Sequence, residues 1–380
     1  MATKPSIFSS PSRYVQGQNA INELGTYLKQ LGTNPLLLAD DTVWGLVEKP
    51  LTDGFESEDL PVNRIEFEGF ATAKRVDDLV ATIKEHDHDV VVGLGGGAAI
   101  DSAKAAGYEA GIRWASVPTA ASSDAPTSTL SVINTDKGSF DEYRFFPRNP
   151  DLVLIDTQLV AGAPERFLIA GIGDALATWV EARAAAKGNG TTMNGGHPTR
   201  AGAALAELCW DILWNDAFAA LDAVRAGVVT PALDAVVEAN TLLSGLGFES
   251  GGLAAAHAIH DGLSAAEQTH GLQHGQKVNI GTIAQLIMEG ADTDELEDFI
   301  EFTTRVGLPT TLTEVGISPD DTDTLEEIAK AACTEDETIH NMPFPVEPHQ
   351  VVEALQVLET TSRRVREERG LPEPKLYVAE

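Results

Sequence analysis

Between Asn240 and His274 the chain reads NTLLSGLGFESGGLAAAHAIHDGLSAAEQTHGLQH, a stretch holding four of its nine histidines. His257 and His260 lie three residues apart in LAAAHAIH, a spacing that sets both on one side of a helix. His274 follows 17 residues after His257, beyond Gly262 and Gly271, so a turn must bring the chain back if the two are to share an ion. Histidines in an alanine-rich helix also serve as core hydrogen-bonding groups or face solvent, and this spacing fits no single-helix zinc signature. Upstream, in GIGDALATW, Asp174 follows a glycine pair. An aspartate there can simply cap a helix. Beside His257 and His274, however, it completes an Asp, His, His set, the three protein ligands a catalytic zinc takes while keeping one position open.

A second stretch suited to chemistry is GLGGGAAIDSAK, Gly93 to Lys104, where an apolar run breaks into glycines and a helix begins. Backbone amides at Gly95, Gly96 and Gly97 could approach a pyrophosphate closely, and a helix N-terminus adds partial positive charge. The pattern Gly93-x-Gly95-x-x-Ala98 fits G-x-G-x-x-A, but no acidic residue follows about 20 positions on, as the dinucleotide fingerprint requires. Such glycines also serve merely to make a turn. Asp40 ends the earlier apolar run PLLLAD. A carboxylate at a strand end accepts hydrogen bonds from ribose hydroxyls and repels a 2'-phosphate, favouring NAD over NADP; it can equally cap the following helix.

The elements that must position these residues alternate through the first half. PLLLAD, NRIEFEG (Asn63 to Gly69), DVVVGLGGG (Asp89 to Gly97), WASVPTAAS (Trp114 to Ser122) and DLVLIDT (Asp151 to Thr157) read as strands, with helical patterns such as NAINELGTYLKQLG and AKRVDDLVATIKEHD between them. The alternation predicts an α/β domain with a doubly wound, mostly parallel, Rossmann-like sheet over residues 1–162, its ligands at the carboxyl ends of the strands. From PERFLIAG onward nearly every segment is helical in pattern, so residues 163–380 are expected to form an all-α domain, with a substrate cleft beside the sheet domain. KGNGTTMNGGHPT, Lys187 to Thr199, reads as an exposed, mobile loop.

The 380 residues are 43% hydrophobic and contain 58 Asp and Glu against 26 Lys and Arg, a formal charge of −32. That balance excludes nucleic acid as a partner. The acidic segments DTDELEDFIE and SPDDTDTLEE keep helical spacing, so their charges coat helix faces. A net charge this large strains a compact chain by self-repulsion, a load that high salt screens, so a salt-rich cytoplasm is expected. No run approaches the roughly 18 apolar residues needed to span a bilayer, and MATKPSIFSSPSRY has no secretory core. Two distant cysteines, Cys209 and Cys333, make neither a disulfide scaffold nor a zinc ribbon.

The stretches VVGLGGGAAIDSAKA, VPTAASSDAPTSTLSVI, FFPRNPDLVLIDT, RFLIAGIGDALATWVEARAA, VVEANTLLSGLGFESGGLAAAHAIHDGL and HGQKV occur in this order across the chain. In them it resembles the glycerol dehydrogenases of the iron-containing, or group III, alcohol dehydrogenase superfamily, whose fold is dehydroquinate synthase-like. The resemblance implies zinc ligands at Asp174, His257 and His274. It implies a glycerol contact at Asp124 and an NAD site built from Asp40, Gly95, Gly96, Gly97, Thr119, Ser122, Ser128 and Leu130. His260 and His270 match no ligand and are expected to orient ligands or substrate, or to pack around the site. Homo-oligomers are common in the family.

Three positions sharpen the expectation. Ala98 stands where the family commonly has Lys, and Asn134 where Tyr often follows SVI, so cofactor affinity or preference is expected to differ. Thr178 stands where iron-dependent relatives place a histidine, four residues after the aspartate, and three ligands fit zinc better than iron. The expected reaction is reversible, NAD-dependent oxidation of glycerol to dihydroxyacetone, with Asp124 and His257 at the reacting centre. The alternatives are an sn-glycerol-1-phosphate dehydrogenase or another polyol dehydrogenase, a lyase of the dehydroquinate synthase type, or a binding protein on the same fold. A phosphate substrate would call for a cationic cluster, and SSDAPTSTL offers none.

Overall fold

Every second residue of PLLLA is claimed by a different layer of helices. In the computed structural model, which describes residues 4–377, strand β2 (Pro35–Ala39) is buried throughout. Leu36 and Leu38 join one apolar cluster, Leu37 and Ala39 the other. Along the chain come β1 (Tyr14–Gly17), α1 (Leu24–Leu28), β2, α2 (Asp41–Ser57), β3 (Asn63–Glu66), α3 (Ala73–Glu85), β4 (Val90–Gly95), α4 (Gly97–Ala110) and β5 (Arg113–Pro118). The hairpin β6 (Leu130–Asn134) and β7 (Phe140–Phe145) follows, then β8 (Leu152–Asp156) and α5 (Thr157–Gly162). Six strands form one parallel sheet in the order β1-β8-β5-β4-β2-β3. One face packs on α1 and α2 through Leu24, Leu28, Val47, Leu51 and Phe55. The other packs on α3 and α4 through Val76, Leu79, Ile83 and Ala103. Each large side chain fully buried this way contributes about 1.5–3 kcal/mol.

The strand order fixes where a ligand belongs. The chain passes from β2 outward to β3 and then back across β2 to β4, so the direction of winding reverses between β2 and β4. In open parallel sheets, ligands bind outside the carboxyl ends of strands at such a switch point. Those ends carry Asp40 and Gly95–Gly97.

The remaining helices are α6 (Glu165–Gly188), α7 (Arg200–Ala226), α8 (Pro231–Glu238), α9 (Ser244–Gly251), α10 (Ala255–Ala265), α11 (His274–Glu289), α12 (Thr293–Val306), α13 (Thr322–Ala332) and α14 (Pro348–Glu368). A π-helical turn, Ala239–Leu243, joins α8 to α9. In α6 the run from Ala170 to Thr178 is buried without a break, so this helix is apolar nearly all round, as a central helix must be.

The polypeptide divides into two units, but not at a single crossing after residue 162. The sheet unit comprises Ser9–Glu165 together with Ala219–Gly245; the helical unit comprises residues 4–8, Arg166–Phe218 and 246–377. The return of α8 and the π-helical turn to the sheet unit carries no composition signal, because that stretch is as helical in pattern as its neighbours. The stretch 187–199 also departs from the exposed loop expected of it. Thr192 is buried, Asn341 bonds both the amide and the carbonyl of Thr191, and the His197 amide donates to Pro5.

Candidate functional site

In the helical unit, three helices meet at glycines of α6 and α11 that have no room for a side chain. A Cβ on Gly275 would lie 1.7 Å from the Ala170 carbonyl oxygen, and one on Gly173 would lie 2.5 Å from that of Gly275. Gly281 meets the Ala256 carbonyl in the same way, at 2.2 Å. These glycines let α6, α10 and α11 approach backbone to backbone, and so bring Asp174 of α6, His257 of α10 and His274 of α11 together. Oδ1 of Asp174 lies 3.0 Å from His274 Nε2 and 3.4 Å from His257 Nε2. One ligand atom from each of the three residues falls within 4.8 Å of the other two.

The start of α10 explains why His257 points inward. LAAAH offers no Ser, Thr, Asp or Asn to cap its own helix, so its first amides would be orphaned in a dry interior. Two buried side chains from neighbouring helices supply the acceptors. Glu181 Oε1, two turns beyond Asp174 on α6, accepts from Ala254 N and His257 N at 2.8 and 3.0 Å. Gln285 Oε1 accepts from Ala255 N and Ala256 N, both at 2.9 Å. The other carboxylate oxygen of Glu181 lies 2.5 Å from His257 Nδ1. With Nδ1–H donated to Glu181, Nε2 faces Asp174 and is the ring nitrogen left to a metal that displaces its proton.

His274 is held similarly. Its Nδ1 lies 3.0 Å from His260 Nε2, and His260 Nδ1 lies 2.9 Å from Asp261 Oδ1. Burial and the charge of His274 depress His260 to about 3, which keeps it a neutral imidazole. Burial alone would raise the Asp174 carboxyl, but His274 and His257 more than offset it and hold the group well below the usual carboxylate range. Burial likewise opposes charge on His257, and Glu181 and Asp174 overcome it, lifting its pKa well above that of a free imidazole. A buried carboxylate facing two imidazoles, each fixed through its far nitrogen, is the donor set a dication replaces protons in. Among the described residues this is the one such cluster. Thr178 is buried, its methyl 2.7 Å from where a Cβ on Gly247 would be, so position 178 serves packing. His270 is exposed in the loop before α11 and does not share the closeness of His260 to the cluster.

In the sheet unit, Asp40 does two things at once. Its Oδ1 caps α2, accepting from Val43 N at 2.8 Å. Its Oδ2 lies 3.9 Å from where a Cβ on Gly95 would be, facing the glycine turn. Gly95 has φ +134°, a conformation open to glycine. Gly93 admits no Cβ, which would sit 2.6 Å from Ile100 Cα, whereas Gly96 and Gly97 face open space. Gly96 and Gly97 are exposed, and α4 starts at Gly97, leaving its first amides accessible. Thr119 N donates to the Gly95 carbonyl at 3.3 Å, which sets the loop after β5 beside the turn.

That loop carries Ser122, Asp124 and Ser128 and leads into Leu130 at the start of β6. Ser122 is part-exposed and Asp124 is buried. Ser128 is buried, its hydroxyl donating to the Ala125 carbonyl at 3.0 Å, so its side chain shapes the loop. Lys104 of α4, missed in the sequence reading, is fully buried and donates to the carbonyls of Ala125 and Leu130 at 2.6 and 2.7 Å. Burial pushes the nearby Asp101 up to about 6 despite Lys104. Asn134 closes β6, its amide bonded to Ala71.

Comparison with known proteins gives a consistent result. The pattern of the iron-containing alcohol dehydrogenase family matches residues 11–157. The glycolaldehyde reductase of Halobacterium salinarum is 48% identical over 362 residues, covering 95% of this chain and 99% of the relative. The glycerol dehydrogenase of Citrobacter freundii is 46% identical over 349 residues, 92% of this chain and 96% of the relative. The crystal structure of glycerol dehydrogenase from Schizosaccharomyces pombe superposes with a TM-score of 0.95 at 39% identity, over 99% of this chain and 96% of that one. Identity of this order over nearly the whole length, joined to the parallel sheet and the helical unit described above, means that the chain belongs to the iron-containing alcohol dehydrogenase family, together with these glycerol dehydrogenases.

Proposed function

We propose that this protein is an NAD-dependent glycerol dehydrogenase that oxidises glycerol reversibly to dihydroxyacetone, with zinc as its metal. The observation that carries the reading is the cluster of Asp174, His257 and His274 in a chain 46% identical to a glycerol dehydrogenase. Three ligands, with Thr178 in place of a fourth, favour zinc over iron. Held there, zinc would supply Lewis acidity toward the vicinal hydroxyls of a polyol, and NAD in the glycine-turn site would supply the hydride acceptor.

The chain's own residues do the rest. Asp174 supplies the negative charge that retains a dication. Glu181 fixes the ring of His257 and His260 fixes that of His274, so neither imidazole has to reorganise when substrate arrives. The Asp124 carboxylate accepts a substrate hydroxyl and so selects which carbon faces the nicotinamide. The free amides of Gly96 and Gly97 meet the pyrophosphate, with Thr119 and the loop through Ser122, Ser128 and Leu130 completing the cofactor site. Asp40, through Oδ2, accepts the ribose hydroxyls and repels a 2'-phosphate. The reading also includes a homo-oligomer working in the cytoplasm of a salt-adapted cell; the 58 acidic against 26 basic residues support the salt adaptation. No described helix is long and apolar enough to cross a membrane.

A second reading, reduction of glycolaldehyde, is favoured by the 48% identity to the Halobacterium salinarum enzyme. It uses the same site, because the product is again a vicinal diol. Steady-state rates with glycerol, dihydroxyacetone and glycolaldehyde separate the two. The higher kcat/KM for the glycerol couple supports the first reading, and a clear preference for glycolaldehyde replaces it with the second. Lack of NAD-linked turnover with any of the three would overturn both.

A further inference from the structure

The loop that bears Asp124 is gripped by the π-helical turn Ala239–Leu243 and the residues that follow it. A π-helical turn inserts an extra residue into a helix and frees a backbone group from the regular ladder, and such turns are often found at functional sites. Here the Thr241 carbonyl, inside the turn, accepts from Thr127 Oγ1 at 3.0 Å. Asn240 Nδ2 donates to the Ala121 carbonyl at 3.0 Å. Ser244 Oγ donates to Asp124 Oδ2 at 2.6 Å. Gly245 must lack a side chain, because a Cβ there would lie 1.8 Å from Thr127 Oγ1 and 3.1 Å from the Asp124 carbonyl. Asn240, Thr241, Ser244 and Thr127 are all fully buried. On the other side Lys104 holds the carbonyls of Ala125 and Leu130. The backbone around Asp124 is therefore held by several buried groups, and its carboxylate accepts a short bond from the Ser244 hydroxyl.

We infer that Ser244 is a positioning residue that sets the rotamer of the Asp124 carboxylate and thereby the orientation of the substrate hydroxyl it accepts. The inference rests on the reading that Asp124 touches the polyol. It differs from a packing role for Ser244 because its effect must pass through Asp124. A hydrogen bond from a neutral donor to a buried carboxylate is a strong one, and losing it removes a restraint on the carboxylate rotamer.

The test is a double-mutant cycle on the purified holoenzyme, reading KM and kcat for glycerol, KM for NAD, and thermal unfolding of each variant. Ser244→Ala should raise KM for glycerol about tenfold with KM for NAD unchanged. In an Asp124→Ala background, already raised in KM, the same substitution should add nothing. An equal effect of Ser244→Ala in both backgrounds would overturn the inference, as would an unchanged KM in Ser244→Ala when Asp124→Ala raises it. If Asp124→Ala itself leaves KM for glycerol unaltered, the reading of Asp124 as a substrate contact fails first, and that outcome is recognisably different. Should the alanine background fail to fold, Asp124→Asn replaces it in the same cycle, with the same outcomes deciding.

Discussion

Replacing Glu181 by glutamine changes one oxygen for one NH2 group in a fully buried side chain, and the consequences can be worked out group by group. Glu181 receives three hydrogen bonds, from Ala254 N, His257 N and His257 Nδ1. All three partners are donors in the state that leaves His257 Nε2 free to bind metal. A carboxylate can accept all three, whereas an amide has one accepting atom. If the amide oxygen keeps the two backbone amides, its NH2 faces Nδ1, and the ring must carry its proton on Nε2 instead. If the amide flips, two backbone N–H groups face an NH2. The first arrangement loses a charge-assisted bond, about 1.5–3 kcal/mol, and the second leaves two buried donors unmet at about 1–3 kcal/mol each. Glu181→Gln is therefore expected to weaken zinc binding about 10- to 100-fold, measured by competition with a chromophoric chelator, and to lower the thermal midpoint of the metal-free protein. Glu181→Ala, which removes every acceptor, should unfold at lower temperature still. A glutamine variant with wild-type zinc affinity would refute the claim that Glu181 sets the tautomer of His257.

Three further outcomes are expected. Asp40→Asn keeps the cap on Val43 N while removing the charge, so kcat/KM for NADP relative to NAD should rise on the order of tenfold at low salt, with little change in thermal midpoint; an unaltered ratio would remove Asp40 from the specificity site. The Cys333 thiol is pushed up to about 11 by burial and by Glu347 and Glu337. Its thiolate therefore vanishes as pH falls below 11, and its alkylation at pH 8 should be about 100-fold slower than that of an unhindered thiol and climb steadily with pH, whereas a flat profile would count against the shift. With a formal charge of −32, the protein should gain thermal stability as KCl rises from about 0.1 to 1 M, over which the screening length falls from about 10 to 3 Å; an unchanged or falling midpoint would count against self-repulsion as the limiting load.

The centre of the sheet was legible because β2, β4 and β8 are apolar runs, buried throughout, that end at or just before glycine or aspartate, and burial on both faces demands that pattern. The edge strand β1, YVQG, is half-buried, too short and too polar to register by periodicity. The hairpin β6–β7 was missed for a related reason, since β7 is largely exposed and carries no apolar alternation. The resemblance named Asp174, His257 and His274, and the geometry brings those three together. The residues that hold them could not be read in advance. Glu181 and Gln285 cap a helix far from them in sequence, and an acidic or amide side chain in a helical run reads as a solvent-facing group. Gly275 was visible only as part of HGQKV, though its missing side chain is what lets α11 touch α6. The π-helical turn at Ala239–Leu243 has no composition of its own, so the fastening of Asp124 by Ser244 is a property of the folded chain alone.

The most direct test of the central claim is zinc content and glycerol-dependent NADH formation measured together on Asp174→Asn and on the unaltered protein, with circular dichroism to verify that both are folded. The expected result is close to one zinc per chain with turnover in the unaltered protein, and loss of both in the variant. A folded Asp174→Asn protein that keeps its zinc and its rate would contradict it.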